Sequence, residues 1–247
     1  MLADKNTYLT SGIYIGMKSC TPYMKHFVYK IREDGLGMFN LKRIDERIKV
    51  AGFFLSKFKN IIVVGRKENS FQAIDAFAKA AGAKAIIGRF PPGMLTNPSF
   101  KEFCEPDVVI VADPVIDEQA VKEASAKRIP IVGICNTFNS VKYVDFVIPA
   151  NNNGKKSLAL IFWLLAREVL KNRDEIKEDS DFSLTLKDFG DTEPVEKKEK
   201  VQERDIGIDE ETHAAQAEGK KAKKRKSADE KVKKPGKDKK KGKADKD

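Results

Sequence analysis

The chain has 247 residues and a net charge of +10, distributed unevenly: residues 1–170 hold 24 Lys+Arg against 16 Asp+Glu, residues 171–218 hold 8 against 16, and residues 219–247 hold 15 against 5. Three widely spaced cysteines (Cys20, Cys104, Cys135) without a CxxC pair argue against a disulfide framework and a zinc ribbon, and His26 and His213 alone do not furnish a histidine triad or zinc site. The start MLADKNTYL lacks the basic and apolar regions of a signal peptide, and the longest apolar run, Leu158–Ala166, is far shorter than a membrane span, so the expectation is a soluble cytosolic chain.

The first block is long enough for one core that buries roughly 70% of its unfolded surface. Within it, Val28–Arg32 and Leu36–Asn40 flank an Asp34-Gly35 turn and read as a hairpin. Ile44, Ile48, Ala51, Leu55 and Phe58 recur at helical spacing. Ile61–Val64 is a β-branched strand closed by Gly65. Phe71, Ile74, Phe77, Ala78 and Ala81 mark the next helix, with Gly82 as the residue after its end. Ala85–Ile87 is a short strand, followed by a Pro- and Gly-rich loop to Pro98.

Val108–Ala112 is a further apolar strand, and Asp117–Lys127 a helix with acids early and bases late, as the helix dipole favours. Ile131–Cys135 and Phe146–Ile148 are the last strands, the second closed by Pro149. A helix from Ser157 follows, with Leu158, Ile161, Phe162, Leu165 and Val169 on one face. Short buried strands alternating with helices predict a doubly wound, mostly parallel α/β domain over residues 1–170. Its ligands belong beyond the carboxyl ends of the strands.

Residues 171–218 form an acidic segment expected to order on binding. Phe182, Leu184, Leu186 and Phe189 alternate loosely there, as a short strand or as a docking segment. Residues 219–247 contain no Leu, Ile, Phe, Trp or Tyr and are expected to be a disordered lysine-rich tail.

The most informative stretch joins the last strand to the last helix. Asn151, Asn152, Asn153, Gly154, Lys155 and Lys156 place amides, two cations and a positive helix end together, a combination that suits a phosphate. No acid, base or nucleophile accompanies it. Arg89 can grip a phosphate through its fork, and Phe90 beside it reads equally as a base-stacking ring or as packing for a rigid connector. Near the start, Lys18 and Lys25 lie among Tyr14, Tyr23, Phe27 and Tyr29, a mixture that suits RNA and also suits ordinary core aromatics with solvated lysines. The turn after Val64 has only Gly65 where a dinucleotide fingerprint needs three glycines, and Gly154-Lys155-Lys156-Ser157 departs from a P-loop. Asp113 and Asp117 lie where metal-binding carboxylates often sit. They read more simply as a turn aspartate and a first-turn helix acid, since no third ligand is evident.

Six strings in order then resemble the universal small-subunit ribosomal protein two family in its archaeal or eukaryotic form. They are YLTSGIYIG (Tyr8–Gly16), YKIREDGLGMFNLKRIDERI (Tyr29–Ile48), GRFPPGMLTNP (Gly88–Pro98), PDVVIVADPVIDEQAVKEA (Pro106–Ala124), IPIVGICNT (Ile129–Thr137) and YVDFVIPANNNGKKSLALIFWLLAREVL (Tyr143–Leu170). Only Ser99–Glu105 separate the third string from the next, so the long helical hairpin of bacterial members is absent.

The resemblance implies a flavodoxin-like three-layer domain built into the small ribosomal subunit, touching rRNA and neighbouring ribosomal proteins without catalysis. It implies no membrane partner, small-molecule substrate or cofactor, with a Mg²⁺ shared between Asp113 and rRNA left open. The residues expected to meet RNA are Lys18, Lys25, Arg89, Phe90, Asn151, Asn152, Asn153, Gly154, Lys155 and Lys156. Two rivals remain: a nucleotide-binding enzyme on the same sheet, and a non-ribosomal scaffold acting through the charged extension.

Overall fold

Uninterrupted β-branched runs have no polar face to show water, and a parallel sheet covered on both sides is where such runs are stable. The computed structural model, which describes residues 1–176 and 182–191, builds that sheet from β3 (Ile61–Gly65), β4 (Lys84–Ile87), β5 (Val108–Val111), β6 (Ile131–Cys135) and β7 (Phe146–Pro149). All pairings are parallel and the order is β4-β3-β5-β6-β7. Val63 stands between Ala85 and Ile110, and Val132 between Ile110 and Phe146. Pro149 ends β7 opposite Cys135 rather than lying past the strand, which an edge strand tolerates because its outer side pairs with nothing.

Before the sheet come α1 (Lys5–Ser11), a 3₁₀ turn (Met24–Phe27), the antiparallel hairpin β1 (Val28–Ile31) and β2 (Gly37–Phe39), and α2 (Leu41–Ser56). The others are α3 (Glu68–Ala81), α4 (Glu118–Ala126) and α5 (Lys155–Asn172). Helix α1 has no apolar stripe and was not foreseen; its anchor is tertiary, the buried Tyr8 hydroxyl donating to Asp45 Oδ1 at 2.5 Å.

Helices α2, α3 and α5 pack together on one face of the sheet, and α4 covers the other. Alternation along β3 and β5 divides the core accordingly. Ile62, Val64, Val109 and Val111 join Ala120, Val121 and Ala124 of α4 in one cluster. No helix links β4 to β5. The loop from Gly88 takes that place, inserting Phe90, Met94 and Leu95 into the same cluster. Phe90 is only 4% exposed, as its packing reading has it: the apolar surface at the end of the sheet needed covering, and this ring covers it.

Helix α5 is buried almost all round rather than on one face, because α2 and α3 flank it. Gly52 sets the approach of α2: a Cβ there would lie 2.6 Å from Glu168 Cβ and 3.2 Å from the Glu168 carbonyl carbon. Of the acidic segment beyond α5, residues 182–191 pack against the domain, and residues 177–181 and 192–218 lie outside the described residues. Residues 182–191 form coil and turns with no strand, and Phe189 is 1% exposed. The expected disorder of residues 219–247 lies outside the described residues. No helix among those described is long and apolar enough to cross a membrane.

Candidate nucleic-acid interface

Four loops leave the carboxyl ends of β3, β5, β6 and β7, and side-chain bonds tie them into one frame. Lys67, after β3, is 17% exposed and sits 2.6 Å from the buried Asp113 after β5. Its ammonium also donates to Asn152 O at 3.2 Å and to Asn153 Oδ1. The other oxygen of Asp113 accepts from Asn139 Nδ2 at 2.7 Å and Val115 N at 3.0 Å. Asn139 Oδ1 in turn accepts from Asn136 N and from Asn152 Nδ2.

This frame takes up the Asn151 and Asn152 side-chain amides, which the sequence offered as donors to phosphate. Asn152 is fully buried and spends its amide on Ile134 O and Asn139. Asn151 Nδ2 donates to Gly12 O, while Asn151 N donates to Ile13 O. Asn153 N is taken by Asn151 Oδ1. The buried Asn139 and Asn152 amides are bonded to each other, while Asn136 Nδ2 and Asn152 Oδ1 are buried without a partner. Asp113, the residue considered for a shared Mg²⁺, has both oxygens engaged inside the protein. Among the described residues no group of three or more His, Cys, Asp or Glu is placed to hold a metal ion.

What the frame presents is cationic. Helix α5 starts at Lys155 rather than Ser157, so both lysines occupy its first turn, with Gly154 at the cap and no side chain capping. The first turn contains no acid. Lysines there oppose a helix end that carries roughly half a positive charge. Lys155 is exposed, and Lys156 is half-buried 4.0 Å from Asp191.

The segment carrying Lys18 crosses the end of β6. Met17 N donates to Thr137 Oγ1 at 2.9 Å, and Thr21 N to Thr137 O at 2.9 Å. Gly16 permits that crossing, since a Cβ would meet Thr137 Cγ2 at 2.5 Å and Gly37 O at 2.8 Å. Met17 also touches Asn153, so Lys18 belongs to the same edge as the start of α5. Lys25 follows on the 3₁₀ turn; both lysines are exposed.

Arg89 is exposed and stands apart from that group, sharing a crevice with Arg66, a cation that sequence reading passed over. Its only signal was its place directly after a strand. Glu123 of α4 was also missed: 5% exposed, it accepts from Gly93 N at 2.7 Å, Leu95 N at 3.2 Å and Thr96 Oγ1 at 3.3 Å. Burial would raise its pKa, but these bonds together with one from Gln119 Nε2 bring it below the ordinary glutamate value. Cys135 is fully buried, and burial raises its pKa far above a reactive range, as suits a core thiol.

Counted among themselves, the five parallel strands run second, first, third, fourth, fifth, which is the flavodoxin-like order. The class is therefore a flavodoxin-like three-layer α/β domain. A family model described as Ribosomal protein S2 matches residues 99–172. Small ribosomal subunit protein uS2 of Saccharolobus solfataricus is 42% identical over 191 residues, covering 76% of this chain and 83% of that protein. The uS2 protein of Nanoarchaeum equitans is 44% identical over 190 residues (76% and 94%), and that of Ignicoccus hospitalis 46% over 183 residues (73% and 86%). At such identity over most of both chains, this chain belongs to the uS2 family of ribosomal proteins.

Proposed function

We propose that this chain is a structural constituent of the small ribosomal subunit, working in the cytoplasm by holding rRNA phosphates and neighbouring small-subunit proteins, without catalysis. Membership of the uS2 family carries the reading. The start of α5 supports it physically. In isolation each lysine in that turn costs roughly 0.3–1 kcal/mol against the helix dipole. A phosphate set before Gly154 turns the same two charges and the first-turn amides of α5 to advantage. Lys18 beside that turn and Lys25 further along extend the cationic edge, while Arg89 reaches RNA separately.

Contacts of this kind position a protein without reading sequence, so specificity comes mainly from rRNA shape. The role requires no resident cofactor. With Asp113 engaged by Lys67 and Asn139, a Mg²⁺ shared with rRNA would be held from the RNA side.

Gradient fractionation of lysate tests the assignment: the chain is expected in the small-subunit peak, and a free chain that turns over a metabolite overturns it. Replacing Lys155 and Lys156 together by glutamate is expected to weaken retention and flatten its salt dependence. Unchanged co-sedimentation across a salt series would remove this edge from the interface.

A further inference from the structure

The crevice that Arg66 and Arg89 share lies over the point where the strand order reverses, among the loops after β3, β4 and β5, and the frame around Lys67 makes no use of it. Its volume is about 190 Å³, below the roughly 300–1,000 Å³ of clefts that take whole small molecules, so it suits one flat group. Phe90 and Ile116 supply apolar wall, and the exposed Arg66 and Arg89 stand at its mouth. Asp117 lines it and is 3% exposed; no side chain donates to its carboxylate, which has only the backbone N–H groups of Arg66 and Asp113 and the charge of Arg66 near it. Although Asp117 stands at the N-cap of α4, its side chain does not cap that helix. A buried carboxylate whose partners are two backbone amides at most has acceptor capacity to spare, which a ligand can use.

The occupant must bring donors for two adjacent acceptors, a flat apolar body, and negative charge for the arginines. A lysine or arginine from a protein would satisfy Asp117 but meet repulsion from Arg66 and Arg89. A bare phosphate would satisfy the arginines and be repelled by Asp117. A nucleotide meets all three demands. Among the bases, guanine offers two neighbouring donors on its Watson–Crick edge, N1–H and N2–H, matching the acceptor-only carboxylate. Adenine and cytosine set an acceptor beside their single amino group, and uracil has one donor between two acceptors. Gln119, whose Nε2 is held by Glu123 at 2.7 Å, keeps its carbonyl oxygen as a further acceptor.

We infer that this crevice captures an unpaired guanine of an RNA strand, with Asp117 accepting from its Watson–Crick edge and Arg66 and Arg89 holding the flanking phosphates. The inference rests on the ribosomal reading and adds base recognition to an interface otherwise built on phosphate contacts. Burial and the charge of Asp113 push Asp117 up to about 6, which leaves it largely ionised, and so accepting, at neutral pH.

The test uses the full chain and short oligouridine RNAs whose central residue is guanosine, inosine, adenosine or cytidine, read by fluorescence anisotropy at fixed salt. Guanosine is expected to bind about tenfold tighter than inosine, which lacks the N2 amino group. Asp117→Asn should remove that preference and leave all-uridine RNA unaffected; Arg66→Ala with Arg89→Ala should weaken every RNA by a similar factor. A flat base profile in the wild type, or a guanine preference that survives Asp117→Asn, overturns the proposal. Guanosine monophosphate competing as well as the guanine-bearing RNA assigns the crevice to a free nucleotide and also overturns it. So does loss of a neighbouring protein from Asp117→Asn particles with the RNA profile unchanged. Failure of the ribosomal reading looks different: the wild-type chain is then missing from small subunits whatever its base preference.

Discussion

Lys67 Nζ and Asp113 Oδ2 lie 2.6 Å apart, joining the loops after two neighbouring strands where the sheet reverses direction. The same ammonium reaches Asn152 and Asn153, so one cation spans three loops. Breaking one side of a buried pair strands the other charge, at a cost of roughly 3–5 kcal/mol. Lys67→Met is therefore expected to destabilise the protein by about that much, measured by urea denaturation at neutral pH. A loss below about 1 kcal/mol would show that the pair behaves as a solvated surface bridge.

Glu123 is expected to stabilise in a pH-dependent way. Its folded-state pKa is lowered, so its contribution is present above the ordinary glutamate value and is lost as pH falls through the lower folded value. Glu123→Gln should cost about 1.5–3 kcal/mol at pH 7, the worth of bonds to a charged acceptor, with the gap closing in acid. Thermal melts of both proteins across pH check the sign.

Asp117 should behave in the opposite way. Its pKa is raised from 3.8 to about 6, first by burial and then by Asp113, so the folded state holds the proton more tightly and the wild type gains stability as pH falls through 6. Ionisation near pH 7.5 then costs up to about 3 kcal/mol, at 1.36 kcal/mol per unit. Asp117→Asn is expected to raise stability at pH 7.5 and to show no advantage below about pH 4, where both states of the wild type are protonated. A variant that folds better while losing guanine preference separates a binding role from a structural one.

Strands β3, β5 and β6 were legible because pattern and burial agree in them: Ile61–Gly65 and Val108–Val111 are buried throughout, whereas β4 is exposed at Lys84 and Ile87 and α5 is buried beyond the face its period gave. The site was legible only in its cations. Asparagine reads alike whether it donates to a ligand or to the backbone of a distant strand, and Asn152 is settled by Ile134 and Asn139, which no local pattern encodes. Phe90 carried two compatible readings, and the missing helix between β4 and β5 gives the packing one its reason. Asp117 read as an ordinary first-turn acid because an acceptor short of side-chain partners is a property of its surroundings.

The docking of residues 182–191 rests on a few contacts that a single change can release. Trp163 Nε1 donates to Leu184 O at 2.8 Å, and the Trp163 ring meets Phe182 edge-on with centroids 5.9 Å apart. Gly190 lies against Gln72 and Lys155, and Phe189 is the deepest side chain of the segment. A core Phe→Ala change ordinarily costs about 3–5 kcal/mol. Phe189 belongs to a short strap without regular structure, so the loss is limited to the free energy of docking and beyond that the strap lets go. Phe189→Ala is expected to speed trypsin cleavage after the surface residue Lys187 as the strap loosens, and to shift Trp163 fluorescence to the red, with global stability falling by less than the full core value. If global stability instead falls by about 3–5 kcal/mol while cleavage after Lys187 is no faster, the strap is an integral part of the core. Because Asp191 of the strap sits 4.0 Å from Lys156, releasing it also removes an anion from the start of α5. RNA affinity at that edge is expected to rise as the strap detaches, and the rise should shrink with added salt as exposed charges are screened.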